Sequence, residues 1–124
     1  MSKTPPMPRL RATITIRDLD GREFRVPGRT YRGLGMHVPQ ELDGGKAVPI
    51  PQVARDQYWA IVHVPSGLRT GTIRGATRAA WAALCRVADA ADWTRPQSEV
   101  CRDPECRRLS RMLGAMPQAE EVLP

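Results

Sequence analysis

Residues 57–73 read QYWAIVHVPSGLRTGTI, and this stretch predicts a β-hairpin. In its first half, residues 57–64, the side chains on both alternating faces are largely apolar, which is typical of a strand inside a sheet. Residues 65–67, Pro-Ser-Gly, predict a tight turn, because proline presets φ and glycine accepts a left-handed conformation. Residues 68–73 then return as the second strand. We therefore expect this hairpin to lie at the centre of an antiparallel sheet.

A second hairpin is predicted upstream, where apolar and polar side chains alternate strictly from residue 9 to residue 17. The apolar set faces one way and a set of arginines and threonines faces the other, so the pattern predicts a half-buried strand with a basic outer face. Residues 18–21, Asp-Leu-Asp-Gly, predict the turn, since glycine can take the positive φ that closes a hairpin. Residues 22–26 form the expected return strand, with Phe24 and Val26 as its apolar pair.

Between the two hairpins, residues 27–52 contain five glycines and four prolines. This composition favours a long loop or short irregular strands. Two short segments, 36–38 and 47–50, could pair with each other across the Asp-Gly-Gly turn at 43–45. Their neighbouring prolines would restrict both segments to the edge of a sheet.

Two helices are predicted after the second hairpin. Residues 77–91 repeat apolar side chains at helical spacing, so one face of this helix can dock on the sheet. Asp103 and Pro104 suit the N-cap and the first position of a second helix, which we expect to end near Leu113.

The order strand, strand, loop, strand, strand, helix, helix belongs to the α+β class, in which both helices pack on one face of an antiparallel sheet. A chain of 124 residues is long enough for one such domain, which we assign to residues 9–116. Residues 1–8 contain three prolines and no periodicity, so we expect a disordered arm. Residues 117–124 are expected to form a frayed tail.

Arginine dominates the charge of the chain. Seventeen of the 19 basic residues are arginine, the formal net charge is +6, and the pI is about 10.0. Because the guanidinium group recognises phosphate and carboxylate in a planar, bidentate way, this composition predicts an anionic partner. A solvated, arginine-rich surface that reflects only GC-rich coding remains the alternative.

The expected compartment is the cytoplasm. The three cysteines, Cys85, Cys101 and Cys106, are an odd number, and the first residues contain no apolar run of the signal-peptide type. The longest apolar run, near residues 79–84, is much shorter than the ~20 residues that cross a bilayer. We therefore expect no membrane partner.

No metal site, cofactor or catalytic centre is predicted. Cys101 and Cys106 have a spacing at the loose end of the zinc range, but no second pair matches them, and His37 and His63 lie elsewhere. His63 falls within a predicted internal strand, where a packed, hydrogen-bonded histidine is expected. Ser66 has no nucleophile-elbow context, so we predict that the protein is not an enzyme.

Nucleic-acid binding is the first function that the charge pattern predicts. Between residues 9 and 32 there are seven arginines and three acidic residues. A two-stranded ribbon with such a face fits a groove or follows a backbone, and the low aromatic content predicts phosphate contacts with low sequence specificity. A helix-turn-helix is excluded, because the link between the two helices is too long. The predicted contact residues for nucleic acid or an acidic partner are Arg9, Arg11, Arg17, Arg25, Arg29, Arg32, Arg107, Arg108 and Arg111.

The alternative is a protein-binding accessory factor or inhibitor, of the kind that phages and mobile elements encode. It would dock its arginine-rich face on an acidic surface of a larger protein. Long loops often carry such contacts, so Tyr31, Leu34 and Met36 are the predicted protein-contact residues of the central loop. Homodimer formation through an uncovered sheet face also stays open.

Overall fold

The structure is a computed structural model that describes residues 4–43, 46–51 and 57–114. Five strands form one antiparallel sheet in the order β1-β2-β3-β6-β7, and β4 and β5 form a separate two-stranded sheet. The predicted α+β class is confirmed. The elements of the described part are β1 (Ala12–Arg17), β2 (Glu23–Tyr31), β3 (Leu34–His37), β4 (Gln40–Asp43), β5 (Lys46–Pro49), β6 (Tyr58–His63), β7 (Leu68–Arg74), α1 (Thr77–Ala90), α2 (Gln97–Val100) and α3 (Pro104–Gly114).

The first hairpin follows from the alternation in β1. Ile14 and Ile16 are buried, and they lie opposite the buried Val26 and Phe24 of β2. The side chains between them, Thr13 and Thr15, are exposed. The turn is closed by the Asp18 carboxylate, which accepts the backbone N–H groups of residues 20 and 22 at 2.9 and 2.8 Å. An aspartate that bonds its own following backbone in this way is a common turn device.

The sheet curls because β2 changes partner along its length. Its residues 23–28 pair with β1 and its residues 29–31 pair with β3. The first hairpin thereby folds over the face of the sheet opposite to α1. At the far end of β1, the backbone N–H of Arg17 donates to the carbonyl of Gly67 at 2.7 Å. The first hairpin therefore touches the turn between β6 and β7.

Two apolar cores lie on the two faces of this curled sheet. The inner core is enclosed by the first hairpin, and the outer core lies between the sheet and the helices. Both faces of the internal strands are therefore covered within one chain, and the first hairpin covers the face left open by the sequence prediction. The inner core contains Ile14, Ile16, Phe24, Val26 and Val62. The outer core includes Leu34, Met36, Trp59, Ile61, Ile73, Trp81, Leu84, Trp93, Leu109 and Leu113.

The prediction of a long loop over residues 27–52 is wrong. The second half of β2 and all of β3, β4 and β5 lie in this stretch, and β3 is an internal strand between β2 and β6. Gly35 suggests a loop in the sequence, but it serves close packing: a Cβ there would lie 3.0 Å from Ile14 Cδ1 and 3.3 Å from Val62 Cγ1. Glycine lets the first hairpin pack directly on this position.

The predicted pairing of segments 36–38 and 47–50 is also wrong. Residues 36 and 37 belong to β3, whereas β5 pairs with β4, with Gln40 opposite Pro49 and Leu42 opposite Ala47. Both strands of this small sheet are short and separate from the main sheet, in keeping with the prolines near them. The predicted turn residues Gly44 and Gly45 lie outside the described part of the chain.

The helices begin where the sequence predicts. Asp103 is the N-cap of α3, since its Oδ1 accepts the backbone N–H groups of Glu105 at 2.8 Å and Cys106 at 3.2 Å. The short helix α2 was not expected. Ser110 Oγ donates to the carbonyl of Thr70 at 3.0 Å, and this bond holds α3 against β7. No helix among the described residues is long and apolar enough to cross a membrane.

Residues 4–8 of the N-terminal arm lie within the described part of the chain, where they contact the domain. Trp81 Nε1 donates to the carbonyl of Pro5 at 2.7 Å, and Arg29 Nε donates to the carbonyl of Pro8 at 3.1 Å. Met7 packs against the outer core. Residues 1–3 and the predicted tail at 117–124 lie outside the described residues.

Candidate nucleic-acid interface

The outer face of the first hairpin is exposed and carries three of the predicted arginines. Arg11 directly precedes β1 and Arg17 ends it, with Thr13 and Thr15 between them, and Arg25 of β2 lies opposite Thr15. The next pair on this face is Arg17 and Glu23, whose side chains form an ion pair. The β-ladder therefore sets guanidinium and hydroxyl groups side by side on one open surface.

Several predicted arginines already have partners. Arg17 pairs with Glu23, Arg32 with Asp89 at 2.8 Å, and Arg108 with Glu105, while Arg29 holds the N-terminal arm. Fewer arginines are therefore available to bind a partner than the sequence alone indicates. Exposed ion pairs are weak, so these residues keep some capacity to exchange partners. Within residues 4–43, 46–51 and 57–114, the side chains without an ion pair or hydrogen bond are those of Arg9, Arg11, Arg25, Arg107 and Arg111 among the nine predicted arginines.

Arg69 lies between the arginines of the first hairpin and those of α3, and it was not among the predicted contact residues. Together with Arg17 it lines a cavity of about 130 Å³ at the point where β1 meets the β6–β7 turn. Together with Arg107 and Arg111 it lines a larger cavity of about 400 Å³ beside α3. Its place at an exposed position of β7 was visible in the alternation, but its proximity to α3 depends on how that helix packs.

These contacts define a surface that we call the basic band. It runs from the outer face of the first hairpin, across the β6–β7 turn, to the exposed side of α3. Arg32 lies elsewhere, since it lines a different cavity with Asp89 and Asp92. The basic band consists of Arg11, Arg17, Arg25, Arg69, Arg107 and Arg111.

Two histidines lie close to the basic band, and both are buried. Burial lowers the pKa of His37, and the positive charge of Arg69 acts in the same direction. His63 Nε2 lies 3.0 Å from the carbonyl of Arg95, and because a carbonyl only accepts, this nitrogen carries the hydrogen. Its Nδ1 then accepts the hydroxyl of Ser66 at 2.8 Å. Both ring nitrogens are therefore used, as expected for a packed histidine.

A partly buried ion pair fixes the wall of the larger cavity. Arg95 donates to Asp103 Oδ2 at 2.7 Å, and the other oxygen of this carboxylate caps α3. The Arg95 guanidinium, helped by the backbone N–H of Cys106, lowers the pKa of Asp103. The segment before α2 is thus joined to the start of α3, which carries Arg107 and Arg111.

The cysteines differ in exposure. Cys85 and Cys106 are buried, and burial raises the pKa of the Cys85 thiol to about 12 and also raises that of Cys106. Cys101 is exposed and lines the larger cavity. Among the described residues, no three His, Cys, Asp or Glu side chains come together as a possible metal-ligand set.

The chain was compared with protein-family models, with curated proteins and with solved structures, and none of the three comparisons found a match. The function must therefore be argued from the geometry and charge of this chain.

Proposed function

We propose that this protein is a non-enzymatic module that binds nucleic acid through the phosphate backbone, with low sequence specificity. The observation that carries the proposal is the basic band. Arg11 and Arg25 at one end and Arg69, Arg107 and Arg111 at the other have no ion-pair partner among the described residues, and Arg17 lies between the two groups. Guanidinium groups form bidentate, charge-assisted hydrogen bonds with phosphate.

The aromatic residues support backbone contacts over base stacking on the sheet. Trp59, Trp81 and Trp93 are only 9%, 4% and 1% exposed, so their rings are not available as an open stacking platform. The exposed outer face of the first hairpin offers threonine hydroxyls and guanidinium groups instead. Such groups contact phosphate and sugar, which carry no direct sequence information.

Binding to an acidic protein was argued from the arginine-rich face and from exposed residues of the central loop, and the second argument fails. Leu34 and Met36 were expected to be exposed contact residues of a loop, but they are 0% and 1% exposed in β3. Tyr31 is partly buried, and its hydroxyl donates to Asp89 at 2.9 Å. The arginine-rich face remains compatible with an acidic protein, so this partner is an outcome of the test below.

The test is fluorescence anisotropy with labelled single-stranded and duplex oligonucleotides over a series of salt concentrations. Each phosphate contact on a single strand adds about −0.7 to the log–log slope of affinity against salt, so five free arginines predict a slope of roughly −3.5. We expect micromolar or tighter binding near physiological salt. Absence of binding there would reject the proposal and favour an acidic protein partner.

A charge-matched pair of variants separates the basic band from net charge alone. Arg11→Glu with Arg25→Glu removes one end of the band and should weaken oligonucleotide binding by roughly tenfold. The control is Arg78→Glu with Arg86→Glu, which makes the same charge change on exposed positions of α1. Equal losses in the two double variants would contradict a defined interface.

A further inference from the structure

The larger cavity beside α3 has the dimensions of a small-molecule site. It is a cleft of about 400 Å³ between the β6–β7 turn, α2 and α3, and we call it the arginine cleft. Pockets that bind small ligands or cofactors typically enclose ~300–1,000 Å³ and combine apolar walls with a few convergent polar groups.

Two kinds of side chain line the arginine cleft. Leu68 is partly exposed and supplies apolar surface, and the buried side chains of Trp93 and Val100 support the wall from below. The Trp93 indole is held in place because its Nε1 donates to the carbonyl of Val87 at 2.9 Å. Gln97 adds an exposed amide that has no hydrogen-bond partner among the described residues, so it can both donate and accept.

The positive charge of the arginine cleft is uncompensated. The nearby acidic side chains Asp103 and Glu105 are taken by Arg95 and Arg108. Arg69, Arg107 and Arg111 line the cleft and form no ion pair among the described residues. These three guanidinium groups are exposed, so a ligand with negative charge can pair with them without displacing a protein carboxylate.

We propose that the arginine cleft binds one nucleotide unit of a single strand, with the phosphate on the arginines and the base against the apolar wall and the Gln97 amide. Inorganic phosphate would leave the apolar wall uncovered, and an apolar molecule would leave three guanidinium groups without a partner. This inference rests on the nucleic-acid function proposed above. It adds a preference for single strands, because a base must leave the duplex to enter the cleft.

The first experiment compares three oligonucleotides of equal length: a single strand, the same strand with abasic positions, and the duplex. We expect the ordinary strand to bind about tenfold more tightly than the abasic strand or the duplex. Leu68→Ser should remove most of this preference, because it weakens binding of the ordinary strand to the apolar wall. Thermal melting of the variant verifies that it is folded.

The possible failures can be told apart. If all three oligonucleotides bind equally and remain salt-dependent, the cleft inference is rejected and the proposed function stands. If none of them binds, the proposed function is rejected, and the cleft is then judged by the measurement below.

The second experiment uses Cys101 as a reporter, because it is the exposed cysteine of the three and lines the cleft. Adenosine 5′-monophosphate should slow alkylation of Cys101 several-fold, whereas inorganic phosphate at the same concentration should not. Equal protection by both would mean that the cleft binds a simple anion, and no protection by either would mean that it binds neither. Each of these two results overturns the nucleotide inference.

Discussion

At the scale of single residues, Gly28 determines how β2 passes from one partner strand to the next. A Cβ at this position would lie 2.4 Å from Ile14 Cδ1 and 2.5 Å from the carbonyl oxygen of Met36. The carbonyl belongs to the internal strand β3, so it cannot move without disturbing the sheet. We predict that Gly28→Ala lowers the free energy of unfolding by about 2 kcal/mol, as overpacking in a core does.

Urea denaturation measures this effect, and Gly35→Ala is its control. A Cβ at position 35 meets only side-chain atoms, at 3.0 Å and beyond, which can adjust by small rotations. We expect Gly35→Ala to cost clearly less than Gly28→Ala. A larger loss at position 35 would contradict the view that the backbone clash at Gly28 controls the curl of the sheet.

Single-residue burial could be predicted where local alternation is long enough. The alternation placed Leu10, Ala12, Ile14 and Ile16 on one apolar face. Ile14 and Ile16 are buried, whereas Leu10, which precedes β1, and Ala12, which begins it, are exposed. Leu34 and Met36 could not be assigned, because β3 has only four residues and its burial comes from β2, β6 and α1 rather than from its own pattern. The free or paired state of each arginine also depends on which acidic side chains the fold brings near it.

At the scale of elements, α3 depends on the Asp103 carboxylate for both its cap and its tether to Arg95. Because Arg95 and the cap lower its pKa, the carboxylate stabilises the fold at pH values above its ordinary pKa of 3.8. This contribution is lost as the pH falls through the lowered, folded-state pKa. We predict that Asp103→Asn, which keeps a capping oxygen but loses the charge, lowers the Tm most at neutral pH.

Thermal melting over a range of pH tests this prediction. The difference in Tm between wild type and Asp103→Asn should shrink as the solution becomes more acidic, since both proteins then lack the charge at position 103. Asp92 and Glu105 also have lowered pKa values and are present in both proteins, so only their repulsion by the Asp103 charge enters the difference. Asp103→Ala should melt roughly 5 °C below Asp103→Asn, because it also loses the cap. A difference in Tm that does not change with pH would refute the charge tether.

Elements with strong local signals were predictable, and those without them were not. The strands β1, β6 and β7 have period-two patterns or a clear turn, and α1 and α3 have helical periodicity or an N-cap. In contrast, α2 has four residues, and the two short strands β4 and β5 have little periodicity. Such elements form because neighbouring packing stabilises them, which a single sequence does not reveal.

At the scale of the whole molecule, the basic band exists because the sheet curls. Arg17 and Arg69 are far apart in the sequence, and they line one cavity only because the end of β1 meets the β6–β7 turn. The sequence could predict two basic segments, on the first hairpin and on the last helix. It could not predict that they join, since this depends on the long-range contact between β1 and the turn.

Deletion of the N-terminal arm tests whether the rest of the domain folds without it. Deleting residues 1–8 removes Met7 from the outer core and leaves the Trp81 indole N–H without the Pro5 carbonyl. We predict that the truncated protein loses about 1–3 kcal/mol of stability, from lost apolar burial and an unpaired donor.

Both cores lie within residues 14–113, so unfolding in urea should remain cooperative, with a nearly unchanged m-value. Oligonucleotide affinity should also persist, because the arm contacts Arg29 and the six arginines of the basic band lie outside the deleted segment. Trp81→Phe serves for comparison, since it keeps the arm but removes the donor and part of the buried ring. Non-cooperative unfolding of the truncated protein would show that the arm is a required part of the domain.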